Sequence, residues 1–127
     1  MNIDLNAKSD KNGSMTAFHL ACERTRLICH TLPNHTEVPE LLVQRSKEYN
    51  IDLNAKTNFY DMTAFHICCN NRDLKLAKML IQNSTKFHID LNAKNHVGWT
   101  GFHYACKNEW NFDLGRFIIE NSIEFTG

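Results

Sequence analysis

Ile51-Asp52-Leu53-Asn54-Ala55-Lys56 decides how this chain is built, because the same six residues stand at Ile3-Asp4-Leu5-Asn6-Ala7-Lys8 and at Ile89-Asp90-Leu91-Asn92-Ala93-Lys94. Each copy leads, after a short variable gap, into a second shared string: Thr16-Ala17-Phe18-His19, Thr63-Ala64-Phe65-His66 and Thr100-Gly101-Phe102-His103. Repetition at intervals of a few tens of residues marks stacked units, each too small to bury its apolar face alone. The chain therefore divides into three units, at approximately residues 2–49 (with an insert near residues 25–35), 50–87 and 88–127.

Within the hexapeptide Ile, Leu and Ala alternate with Asp, Asn and Lys, a period-two pattern that predicts a short extended arm with one buried face. Turn formers follow. Asn12-Gly13 supplies a tight reversal in the first unit, and Gly98 stands in the corresponding gap of the third. The second gap, Thr57-Asn58-Phe59-Tyr60-Asp61-Met62, has no glycine. Thr16, Thr63 and Thr100 then stand where a hydroxyl caps a helix. A second helix is expected in each unit from the spacing of Val38, Leu41 and Leu42, of Leu74, Ala77 and Ile81, and of Phe112, Leu114, Phe117 and Ile118. Ser46, Ser84 and Ser122 mark where these helices end.

These strings resemble the ankyrin repeat family, whose pattern is a turn, then Thr-Pro-Leu-His-Leu-Ala-Ala, then a second helix ending in paired leucines. Thr63-Ala64-Phe65-His66-Ile67-Cys68-Cys69 and Thr100-Gly101-Phe102-His103-Tyr104-Ala105-Cys106 match it in residue character, and Leu41-Leu42, Leu80-Ile81 and Ile118-Ile119 stand at the paired-leucine end. The resemblance implies an all-α solenoid of three helix-turn-helix repeats joined by β-hairpin-like loops. The chain departs from the pattern where Ala17, Ala64 and Gly101 replace proline, and where Arg72-Asp73 and Glu109-Trp110 replace glycine-histidine between the helices.

The bulk properties narrow the functional classes. Fourteen basic side chains balance fourteen acidic ones, so no net field collects nucleic acid or an anionic membrane. No apolar run approaches the length that spans a bilayer. The start lacks the basic and apolar regions of a secretory peptide, so the five cysteines are expected as reduced thiols in the cytosol or nucleus.

His19 and Cys22, His66 and Cys69, and His103 and Cys106 each form a His-x-x-Cys pair, a zinc-like ligand set on one helical face. In the resembled family that histidine is structural and the cysteine position packs as a small apolar residue, so neither a metal nor another cofactor is expected. Cys69 with His66, or Cys29 with His30, lacks a third orienting group and an oxyanion site, which argues against catalysis. Asn6, Asn54 and Asn92 resemble the asparagine that asparaginyl hydroxylases modify in ankyrin repeats. Lys8, Lys56 and Lys94 share one phase, as do Asp4, Asp52 and Asp90, which suggests either a basic stripe or ion pairs between units.

The positions that break the repeat carry the functional expectation. Lys56, Asn58, Phe59, Tyr60, Met62, Asn70, Asn71, Lys94, His96, Val97, Trp99, Lys107 and Asn108 fall on the turns and first-helix ends that line the groove with which ankyrin-like proteins bind other proteins. Aromatic residues and methionine are the usual anchors of such interfaces. The alternatives are an inhibitor acting through the insert at residues 25–35, or a metal- or redox-responsive use of the His/Cys pairs. Neither end carries a polar capping unit, so either the chain is cut from a longer array or its ends meet another molecule, with self-association as one outcome.

Overall fold

The computed structural model describes residues 3–10, 13–28, 35–107 and 112–126. Helices α1 (Ala17–Ile28), α3 (Ala64–Asn70) and α6 (Gly101–Lys107) form one row, with α3 packed between the other two. Helices α2 (Glu37–Gln44), α4 (Leu74–Gln82) and α7 (Phe112–Thr126) return alongside their partners, and α5 (Ser84–Phe87) is one extra turn after α4. Among the described residues there is no strand. The architecture is an all-α stack of three helix-turn-helix units.

The hexapeptide is a turn and not the extended arm its alternation predicts. The Asp4, Asp52 and Asp90 carboxylates each accept the N–H two residues on, from Asn6, Asn54 and Asn92 at 2.9 Å. This aspartate turn bends the chain at Leu-Asn while still burying Ile51, Leu53 and Ile89 in the core. The acidic row is thus engaged in local geometry and not in ion pairs between units.

The polar half of the hexapeptide joins unit to unit. Asn6 donates to the Asn50 carbonyl at 2.8 Å and accepts from the Asp52 N–H at 2.7 Å. One unit later Asn54 donates to the His88 carbonyl and accepts from the Asp90 N–H, both at 2.8 Å. The lysine row is neither a free stripe nor an ion-pair partner at its first two positions. Lys8 Nζ donates to the Lys56 carbonyl at 2.9 Å and Lys56 Nζ to the Lys94 carbonyl at 2.8 Å.

Each first helix begins on its threonine. Thr63 accepts from the His66 N–H, and the His66 ring accepts from the Thr63 N–H at 3.0 Å, a reciprocal cap with histidine in place of the usual acid or amide. Glycine is absent from the unit junctions, yet the left-handed positions remain. Arg72 (φ 60°) turns the chain between α3 and α4, while Asn50 (φ 54°) and His88 (φ 57°) turn it into the next hexapeptide. Behind them Asp73, Ile51 and Ile89 donate back to Cys68, Ser46 and Ser84 carbonyls, a six-to-one closure of the helix end. Ser46, Ser84 and Ser122 each donate to the carbonyl three residues earlier. The first two mark the ends of α2 and α4, whereas α7 continues past Ser122.

Two expectations about the first unit need correction. Helix α1 runs on to Ile28, because Glu23-Arg24-Thr25-Arg26-Leu27-Ile28 contains no breaker, so the irregular insert begins later than residue 25. The buried residues of α2 are Pro39 and Val43, with Leu42 half-buried; Val38 and Leu41 are exposed. Counting back from the end serines aligns Leu42-Val43, not Leu41-Leu42, with Leu80-Ile81 and Ile118-Ile119. An open cavity of about 570 Å³ between α2 and Lys75 of α4 lies beside the exposed Leu41. In α4 the expected apolar face holds, with Leu76, Ala77, Leu80 and Ile81 buried.

Candidate functional site

The variable gaps are three closed tips that differ in length. Ser9 and Met15, Thr57 and Met62, and Asn95 and Trp99 each pair N–H to carbonyl at 2.8–3.0 Å, bracketing five, four and three residues. The first residue of each pair also closes the tip with its side chain. Ser9 Oγ accepts from Met15, Thr57 Oγ1 from Met62, and Asn95 Oδ1 from Val97 and Trp99. Three residue types thus perform one task. The tips are also laced together, with Asn58 donating to the Gly13 carbonyl and His96 to the Tyr60 carbonyl.

The middle tip is strained. Gly13 and Ser14 share positive φ in the first tip and Gly98 takes it in the third, but in the second the residues concerned are Tyr60 (φ 69°) and Asp61 (φ 50°). A side chain in this region costs about 1–2 kcal/mol. The same tip holds out Phe59 and Tyr60, 66% and 64% exposed. Behind them a cleft of about 270 Å³ is lined by Met15, Glu23, Phe59, Tyr60, Met62, Ile67, Asn70 and Asn71 among others. The structure therefore brings five expected residues, Phe59, Tyr60, Met62, Asn70 and Asn71, around one cavity.

The remaining expected residues are more scattered. The His96 ring lies 5.0 Å from Tyr60, extending the aromatic surface, and Val97 is exposed on the third tip. Trp99 is half-buried, stacked on His103 at 5.8 Å and edge-on to Tyr104 at 5.2 Å, with Lys107 Nζ 5.3 Å from its ring. Its carbonyl accepts from His66 Nε2 at 2.7 Å, so Trp99 belongs in part to the framework. Lys56 stands in the inter-unit ladder, Asn58 and Lys94 are exposed, and Asn108 lies outside the described residues. Sequence reasoning passed over Thr57 and Ile67. The signal for Thr57 was its place just after Lys56, where Ser9 and Asn95 stand in the other units.

The histidines and cysteines are built into the stack. The Thr16 N–H donates to His19 Nδ1 at 3.0 Å, which leaves the ring proton on Nε2 to donate to the Ala55 carbonyl at 2.8 Å. Both ring nitrogens of His19 and His66 are so committed, and neither has a lone pair to offer a metal. Burial lowers the pKa of both below the ordinary 6.5, and their carbonyl contacts offset part of that pull. Cys22, Cys68 and Cys69 are buried, and desolvation pushes the Cys22 and Cys68 thiols well above their ordinary range, away from the reactive thiolate. Cys29 and His30 lie outside the described residues, as do residues 31–34 of the insert. At the end of the insert, His35 Nε2 lies 3.1 Å from Asp73 Oδ1, tying it to the residue that caps α4.

A stack of capped helix pairs joined by aspartate turns, with variable tips on one side, defines a repeat solenoid. The family model for ankyrin repeats (three copies) matches residues 27–126. The chain belongs to the ankyrin repeat family, whose members generally mediate protein–protein interaction. The first hexapeptide precedes the matched span but makes the same contacts as the second. Comparison with curated proteins returns no match. No described helix is long and apolar enough to cross a membrane.

Proposed function

We propose that this chain is a non-catalytic, intracellular protein-binding module that takes a protein partner, and not nucleic acid or a membrane, on the tip surface. Phe59 and Tyr60 are its centre. Asn58, Met62, His96 and Val97 flank them, Asn70 and Asn71 form the wall behind, and Trp99 and Lys107 extend the surface. Lys94 lies at its edge, and Lys56 serves mainly the stack. The supporting observation is the middle tip, where two side chains are held at positive φ and two large rings stand in solvent beside a cleft. Strain of this kind persists where the surrounding structure over-determines it, and it gathers at binding sites.

The test is affinity capture from the cells of origin with the wild-type chain, Phe59→Ala/Tyr60→Ala, and a chain lacking residues 29–34, which leaves α1 and His35 in place. A partner held through the tip is retained by the wild type and the deletion but lost by the double variant, with affinity reduced about 30-fold or more, as for a hot-spot pair. Retention by the double variant together with loss by the deletion would move the site to the insert.

A further inference from the structure

The three units are built alike but are not buried alike. Ile51 and Ile89 are 9% and 7% exposed, whereas their counterpart Ile3, on the outer side of the first unit, is 61% exposed. At the other end, Phe18 and Phe65 are 3% and 5% exposed, but Phe102 is 37% exposed. Val43 and Ile81 are 0% and 1% exposed, against 60% for Ile119. His103 and Cys106 are exposed where His19, His66, Cys22 and Cys69 are buried. Phe102, His103, Cys106 and Ile119 are thus exposed in the third unit where their counterparts in the first two are buried.

The polar groups repeat the pattern. Among the described residues, the side chain of Asn92, the Lys94 ammonium and His103 Nε2 make no hydrogen bond, while Asn6, Asn54, Lys8, Lys56, His19 and His66 all bond the unit that follows them. The partners these groups take are all backbone N–H and carbonyl groups. In the first interface they are presented by Asn50-Ile51-Asp52-Leu53-Asn54-Ala55-Lys56, with the Met62 carbonyl a second partner of His19 at 3.1 Å, and Asn2-Ile3-Asp4-Leu5-Asn6-Ala7-Lys8 is the identical heptapeptide. The chain thus carries, at one end, donors set for that heptapeptide and, at the other, the heptapeptide itself.

We propose that the face left bare by the third unit seats the first unit of a second copy of this chain, joined head to tail. Asn92 accepts from the second copy's Asp4 N–H, Lys94 donates to its Lys8 carbonyl and His103 to its Ala7 carbonyl. The apolar part closes as Ile3 of the second copy covers Phe102 and Ile119. The two patches differ, so the contact is heterologous and grows into short chains of molecules, not a closed pair. It meets the tip surface only at Lys94 and at His103, which stacks on Trp99, and it does not depend on that reading.

The experiment is sedimentation of the chain from about 10 µM to about 1 mM, where weak interfaces populate, alongside Ile3→Glu and Ile119→Glu. Both substitutions fall on exposed side chains, and circular dichroism checks that the fold is kept. The wild type is expected to rise in average mass past the dimer, and each variant alone to stay monomeric. An equimolar mixture of the two should form a one-to-one dimer and nothing larger, because each keeps the end the other lacks. A wild type that stays monomeric overturns the proposal. So do variants that associate as the wild type does, or a mixture that does not pair.

Discussion

Gly101 sits at the start of α6 against the row behind it, and its replacement by alanine probes the packing that joins the second unit to the third. A Cβ built there lies 2.5 and 2.6 Å from Cε2 and Cδ2 of Phe65 and 3.1 Å from Cys69 Sγ. Carbon atoms in good contact sit about 3.5–4.0 Å apart, so the ring must retreat by about 1 Å within a core where it is almost fully enclosed. Overpacking of this sort costs about 1–3 kcal/mol. The better helix propensity of alanine returns at most about 1 kcal/mol. Gly101→Ala is therefore expected to lose about 1–2 kcal/mol, a fall in Tm of about 3–10 °C at this chain length. The expectation runs against the pattern of the chain, since Ala17 and Ala64 hold the equivalent positions. Thermal and urea unfolding measure it, and a cycle with Phe65→Leu identifies the cause. With the ring edge gone, the double variant should be about as stable as Phe65→Leu alone, a coupling of about 1 kcal/mol. An unchanged or raised stability for Gly101→Ala, or strict additivity in the cycle, would refute the argument.

Three further outcomes can be measured on the same protein. Asn54→Ala removes two inter-unit hydrogen bonds and should cost about 1–2 kcal/mol, whereas Asn92→Ala, in dilute solution, should cost almost nothing; equal effects would contradict the ladder. Tyr60→Gly relieves a left-handed side chain at about 1–2 kcal/mol for an entropy loss of about 0.4–1 kcal/mol, so stability should hold or rise slightly while partner binding falls. Because His19 and His66 have pKa values below the ordinary 6.5, the unfolded chain binds protons more readily than the native one. Their contribution is complete above pH 6.5 and is lost as pH falls below it towards their native values; a Tm that stayed flat on acidification through this range would exclude it.

The repeat, the helix starts and the family were legible because they rest on residue identity at fixed spacing, and Thr63 with His66 caps its helix in the manner such spacing foretells. The hexapeptide was misread for a physical reason. Ile, Leu and Ala alternate with polar residues in a strand and in this turn alike, and only the carboxylate reaching forward two residues distinguishes them. The lysine row was misread because a cation can satisfy a carbonyl as well as a carboxylate, and sequence shows only side chains. In α2 the run Leu41-Leu42-Val43 offers two apolar registers, and the serine bonded to Val43 decides between them. The tip residues were legible as exceptions to the repeat. Their clustering around one cleft was not, because it depends on how neighbouring tips bond each other's backbones.

The ladder between units has an evolutionary corollary. Asn6, Asn54, Lys8, Lys56, His19 and His66 all grip peptide groups of the neighbour and none of its side chains. In these bonds a unit is recognised by the path of its neighbour's main chain, whatever side chains that neighbour carries there. Duplicating such a unit, or exchanging one for another, leaves this ladder of bonds intact. Copy number can change by recombination while each tip drifts on its own, which makes a lineage of such genes free to lengthen its array before it refines what the array holds.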